Sequence, residues 1–199
     1  IPDPFLETNE QSVQWVDTCT WEYQIQFLLS EKELRSSPVL QFDGLDTYAD
    51  VFLNDSLVLK ADNMFRVWKV STAGIGIKGQ NKLRVVFHPV RKIEKQRAAM
   101  LNYTLPDNNR VFTRKAAYHY GWDWGPTIIT SGIWKPVSLY LRSGSLEVND
   151  VRFIQREVSG QSAVLHLKSW IRSTTRQSVK ISVWDEDSEQ LLAGKTFFL

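Results

Sequence analysis

Trp122, Asp123 and Trp124 are consecutive and place one carboxylate between two indole rings. An ionised carboxylate accepts strongly from hydroxyl groups, and the flat face of an indole packs on a weakly apolar C–H surface. A sugar presents both. The surrounding run, Tyr118 to Pro136, reads YHYGWDWGPTIITSGIWKP, with Gly121 and Gly125 flanking the triplet and Pro126 after it. That punctuation predicts a rigid, non-repetitive loop, and such loops carry binding residues more often than packing ones. The same residues admit a second reading, in which both tryptophans are core and Asp123 caps a turn. His119, four residues before Asp123, could support the carboxylate from behind or could simply be a satisfied structural histidine.

The elements that must position this loop read as strands. Trp21, Tyr23, Ile25, Phe27 and Leu29 alternate with polar residues except at Leu28, a period of two that predicts a strand with one buried face. Ala49, Val51 and Leu53 lead into Asn54-Asp55, a two-residue turn signal, and Leu57 to Leu59 form the returning arm of a hairpin. Phe65 to Val70 reads as a further strand. Leu83, Val85 and Phe87 alternate again until Pro89, and Val137, Leu139 and Leu141 resume the pattern after the loop. Val90 to Met100 is the one helical stretch. Its Arg91, Lys92, Lys95 and Arg97 read as the wet side of a surface helix rather than a nucleic-acid patch, because the net charge is only +2. Between Leu101 and Ile133 periodicity fails, and a long irregular excursion in a β domain is a functional candidate. Arg142-Ser-Gly-Ser145 reads as a linker. Beyond it Val148–Ile154, Val164–Ile171 and Val179–Trp184 suggest a second sandwich, too short for the roughly 100 residues such a domain needs. The apolar Lys195–Leu199 end suggests a piece of a longer protein.

Composition narrows the classes further. At 199 residues with 43% hydrophobic and 23% charged residues, the chain is of ordinary globular make-up. No run approaches the roughly 18 to 20 apolar residues of a membrane-spanning helix, so neither membrane nor nucleic acid is an expected partner. Cys19 is alone and offers no disulfide, thiolate zinc site or redox pair within the chain. Asp43, Asp46 and Asp50 could suggest calcium, but their spacing lacks the EF-hand pattern, and neither metal nor cofactor is expected. Asn54 and Asn102 begin N-x-S/T sequons. His88 and His166 read as structural, and Trp15, Trp21, Trp68 and Trp134 as packing. Arg114 and Lys115 are candidates to orient the loop by pairing with carboxylates that the sequence does not identify.

With these segments in hand, the chain resembles the N-terminal part of β-mannosidases of glycoside hydrolase family 2. Ile1-Pro-Asp-Pro-Phe5, Asn9-Glu10, Gln14-Trp15 and Trp21-Glu-Tyr23 look like that family's early segment, and Phe42 to Asn54 like its hairpin, with Asp55 in place of the usual glycine. Arg114 to Pro126 and Ser131 to Val137 are the most specific stretches, since related β-galactosidases and β-glucuronidases lack Trp-Asp-Trp. The resemblance implies an all-β fold: a jelly-roll, galactose-binding-like sandwich over residues 1–143, lacking its first strand, then an incomplete immunoglobulin-like sandwich over 144–199. It further implies a catalytic (β/α)8 barrel outside this chain, as a partner domain holding two glutamates for hydrolysis with retained configuration. No catalytic residue is then expected here, and Asn9-Glu10 only imitates the family's acid/base pair. Trp122, Asp123 and Trp124 would line the subsite for the non-reducing mannose of a β-mannoside or manno-oligosaccharide, with His119 behind them. The competing readings are a free-standing carbohydrate-binding module and a family 2 enzyme of other specificity, such as a β-galactosidase.

Overall fold

Alternating apolar residues build most of the first compact unit, Ile1–Arg142; the second is Ser143–Leu199. The computed structural model describes residues 1–105, 109–142 and 144–199. Ser143 in the expected linker and residues 106–108 in the irregular excursion lie outside them. The class is all-β, as the alternation predicts.

In the first unit, β1 (Trp21–Leu29), β7 (Gly79–Phe87), β4 (Tyr48–Leu53) and β5 (Ser56–Asp62) form an antiparallel sheet in that spatial order. A second sheet contains β6 (Trp68–Ser71), β2 (Val39–Phe42) and β9 (Val137–Tyr140), again in spatial order. Their inner faces share one core, with Phe42, Val51, Leu53, Val85 and Phe87 fully buried. Burial of such side chains contributes roughly 1.5–3 kcal/mol each. The short pair β3 (Leu45–Asp46) and β8 (Gly132–Ile133) joins the entry of β4 to the exit of the long irregular excursion.

The hairpin between β4 and β5 turns on Asn54 and Asp55, both with positive φ (49° and 63°). That is the conformation a two-residue hairpin turn demands, and Asn and Asp tolerate it. Asn54 does more than turn. Its Nδ2 donates to the Ile75 carbonyl and to Asn81 Oδ1, at 3.0 and 2.9 Å, so both amide hydrogens are in use; of the two sequons only Asn102 has an exposed asparagine.

Two strand expectations need correction. Phe65 to Val70 is not one strand: residues 64–66 turn, and β6 begins only at Trp68. The predicted buried face of β1 is only partly covered. Leu29 is buried, but Tyr23 and Ile25 are 43% and 61% exposed although they pair with the buried Val85 and Leu83. The reason is width: four strands face three, and among the described residues nothing continues the facing sheet beyond β9. An apolar mouth of about 450 Å³ is left, lined by Tyr23, Ile25, Phe27, Val137 and Leu139.

The helical stretch is α3 (Val90–Ala98), following α1 (Asn9–Ser12) and α2 (Glu31–Arg35). Its Val90 packs with Tyr48 and Ile129 in a small second core, against which Ile93 and Tyr120 lean. Two of its basic residues are used inside the fold. Arg91 pairs with the buried Asp17, and Arg97 stacks on the Tyr48 ring and donates to Tyr48 Oη and the Phe112 carbonyl. No helix among the described residues is long and apolar enough to cross a membrane.

The second unit holds two antiparallel pairs, β10 (Leu146–Val158) with β11 (Ala163–Ser173) and β12 (Ser178–Trp184) with β13 (Leu191–Phe198). Phe153, Trp184 and Phe198 are exposed on them.

Candidate functional site

The Trp-Asp-Trp sequence sits at the tip of a tight turn. Trp122 N–H donates to the Gly125 carbonyl at 3.1 Å, and Gly125 N–H donates back to the Trp122 carbonyl at 3.2 Å. Asp123 and Trp124 therefore occupy the two corner positions, where side chains point away from the chain. Trp122 and Trp124 are 56% and 85% exposed, Asp123 is exposed between them, and the two rings meet at 63° with centroids 5.9 Å apart. The reading that buries both tryptophans is thus excluded. What the turn offers is an uncommitted carboxylate beside two indole faces, a combination suited to hydroxyls on one side of a ligand and C–H on another.

Behind the tip, the rising and falling limbs of the loop are cross-tied. Thr127 Oγ1 donates to the Tyr120 carbonyl at 3.1 Å, and Ile128 N–H to the His119 carbonyl at 3.0 Å. Gly121 bends the rising limb at φ +90°, and a Cβ there would meet Thr127 Oγ1 at 2.6 Å. Two neighbouring segments hold the limbs from outside. Gln14 Nε2 donates to the Thr127 carbonyl at 2.7 Å, and Tyr120 Oη donates to the buried carboxylate of Glu94 on α3. Burial, then the adjacent Glu94 carboxylate, pushes the Tyr120 phenol far above its ordinary range, so it remains a donor. Tyr48 is raised too, chiefly by burial.

At the base lies the carboxylate partner that Lys115 lacked in the sequence. Lys115 Nζ, its side chain wholly buried, bonds both oxygens of the buried Asp46 and also the Thr130 carbonyl at 2.8 Å. Thr130 Oγ1 donates to Asp46 Oδ2 at 2.6 Å, and Thr47 Oγ1 donates to Oδ1 at 2.5 Å. Burial lowers the Lys115 pKa, and the Asp46 charge opposes that shift.

The remaining candidates fall into place individually. His119 does not bond Asp123; its ring meets Tyr118 edge-on at 4.6 Å, and its Nδ1 is buried without a partner. Burial, then the charge of Lys115, lowers its pKa and favours the neutral imidazole. The three aspartates weighed for calcium are dispersed. Asp46 is saturated by Lys115 and two hydroxyls, Asp50 accepts from or pairs with His88 and Lys60, and Asp43 accepts from Gln41. Among the described residues no three His, Cys, Asp or Glu side chains converge as a metal site. Trp68 is buried, but Trp134 and Trp15 are about half exposed. Trp134 Nε1 donates to the Met64 carbonyl, and Trp15 lies 5.6 Å from Trp21. Tyr120, Thr130 and Gln14 had no local signal as loop supports, because their partners are distant in sequence.

Comparison with known proteins finds relatives for most of this chain. The family model described as glycosyl hydrolase 2 galactose-binding domain-like matches residues 1–135. Beta-mannosidase B of Thermothelomyces thermophilus is 37% identical over 151 residues, covering 73% of this chain and 18% of that protein. Beta-mannosidase B of Emericella nidulans is likewise 37% identical, over 153 residues with the same coverage. The crystal structure of a Beta-D-Mannosidase from Dictyoglomus thermophilum superposes with a TM-score of 0.86 at 32% identity, covering 100% of this chain and 25% of that one. The chain thus spans only 18% of the length of the curated relatives it matches.

Proposed function

The chain belongs to glycoside hydrolase family 2, carrying its galactose-binding-like domain, and from that premise we propose that it is the non-catalytic front part of a retaining exo-β-mannosidase. Residues 1–143 form the sugar-binding sandwich in this reading, and 144–199 begin an immunoglobulin-like one. The hydrolytic carboxyl pair belongs to a barrel domain outside this chain. The chain's own contribution is the turn bearing Trp122, Asp123 and Trp124, lent to the subsite for a terminal non-reducing mannose. The observation that carries this reading is the exposure of those three side chains on a cross-tied turn. A loop whose backbone is fixed and whose polar and aromatic groups are unspent is organised for a ligand rather than for packing.

Asp123 has the leading role. Its two oxygens can accept from two sugar hydroxyls, each charge-assisted bond contributing about 1.5–3 kcal/mol. Trp122 and Trp124 pack on the C–H face or donate through Nε1. In the complete enzyme, Asp123→Ala is expected to lower kcat/KM on an aryl β-mannoside by at least about tenfold. A loss smaller than about twofold would remove Asp123 from the site. A second reading, a module that binds sugar unaided, draws on the same exposed rings, which are presented by the first unit without help from another domain.

A further inference from the structure

We infer that Asp46, Lys115 and Thr130 form a clamp that positions the Trp-Asp-Trp turn; the inference rests on the reading of that turn as a mannose subsite. Lys115 and Thr130 stand at the feet of the two limbs that carry the turn. Both are bound to one buried carboxylate, Asp46, which lies on β3 directly opposite Gly132 of β8. Lys115 closes the ring by donating to the Thr130 carbonyl. From there the cross-ties rise in sequence, His119 with Ile128, Tyr120 with Thr127, and Trp122 with Gly125 at the tip.

The clamp is thus the lowest rung of a ladder that ends at Asp123. A displacement at the base is carried upward, because each rung bonds the two limbs at a set register. Asp46 itself touches no ligand in this arrangement. Its Oδ1 accepts from Thr47 and Lys115 and its Oδ2 from Lys115 and Thr130, leaving no acceptor capacity for a sugar or a cation. Asp46, Lys115 and Thr130 are therefore positioning residues that act through the loop. A misplacement on the order of 1 Å at a binding group is enough to slow turnover substantially.

The test is a double-mutant cycle in the complete enzyme, assayed with an aryl β-mannoside well below its unfolding temperature. Thr130→Val removes the hydroxyl and keeps the shape and the Lys115–Asp46 pair. We expect it to lower kcat/KM by about fivefold or more, and Thr130→Ser to remain within about twofold of the native enzyme. In an Asp123→Ala background the same Thr130→Val change should cost clearly less than in the native enzyme, because the leading contact the clamp positions is gone and only those of Trp122 and Trp124 remain. A role in stability alone would leave the native kcat/KM intact, and a separate catalytic role would give the same loss in both backgrounds. Either result overturns the clamp. Lys115→Met combined with Asp46→Leu replaces the pair by apolar groups, which folded proteins often accept; the same loss and the same non-additivity are expected there. If Asp123→Ala is itself silent, the mannose-subsite reading fails and takes the clamp's function with it. An active Asp123 with a silent Thr130→Val defeats the clamp alone.

Discussion

Gly121 and Gly125 flank the same three residues and look equivalent in sequence, yet the structure gives them different tasks. Gly121 holds φ +90°, with Thr127 Oγ1 where a Cβ would stand, whereas Gly125 lies outside the left-handed region and its Cβ would find nothing nearer than 3.8 Å. A side chain in a sparsely populated backbone region costs about 1–3 kcal/mol. Gly121→Ala is therefore expected to lower the melting temperature and, in the complete enzyme, to lower kcat/KM through the displaced turn. Gly125→Ala should change stability by no more than about 0.5 kcal/mol. Parallel thermal melts of the two variants check this, and equal losses would mean that the bend at Gly121 is not what sets the loop.

At the scale of elements, the loop depends on what lies under it, and α3 is the nearest support. Tyr120 reaches from the loop to Glu94, a carboxylate with little other solvation, and the resulting bond holds the phenol protonated. A tyrosine whose folded pKa is raised above the ordinary value of 10.0 contributes stability that is fully present below that pH and is lost as pH rises beyond it, because the unfolded chain sheds its proton first. Tyr48, raised in the same direction, adds to the alkaline decline. Tyr120→Phe should cost about 1–3 kcal/mol near neutral pH, since it leaves Glu94 without that donor. The gap between variant and native chain should narrow above about pH 10. Urea unfolding at about pH 8 and about pH 11 measures both values; a gap independent of pH would mean that the Tyr120 hydroxyl does not titrate with unfolding.

At the scale of the whole molecule, the question is whether the turn binds sugar alone or completes a site built elsewhere. Two indole faces and one carboxylate are few contacts for a small polar ligand, whose hydroxyls must leave water to reach them. We therefore expect this chain, titrated calorimetrically with mannose and with β-1,4-mannobiose, to give no saturable heat up to concentrations on the order of tens of millimolar. Saturable heat abolished by Asp123→Ala would instead make the chain a binding module in its own right. The apolar residues left open on the second unit, among them Phe153, Trp184 and Phe198, are uncovered area of the kind that favours association.

Much of this was legible along the chain, where the physics is local. Strand alternation is set by successive side chains pointing to opposite faces, so β4 and β7 could be read from their own residues, and Asn54-Asp55 announced its turn because only a few residue types accept positive φ. The loop was legible from its punctuation, Gly121, Gly125 and Pro126, although only Gly121 adopts positive φ. How much of the apolar face of β1 would be covered was not, because that depends on how many strands the opposite sheet contains. Nor could the sequence choose between buried and exposed tryptophans at 122 and 124, since both readings use the same letters. The clamp lay furthest out of reach: Lys115 and Thr130 meet a carboxylate 69 and 84 positions away. A buried charge must find its partner wherever the fold brings one, and only the tertiary structure decides that Asp46, rather than Asp43 or Asp50, is the one that arrives.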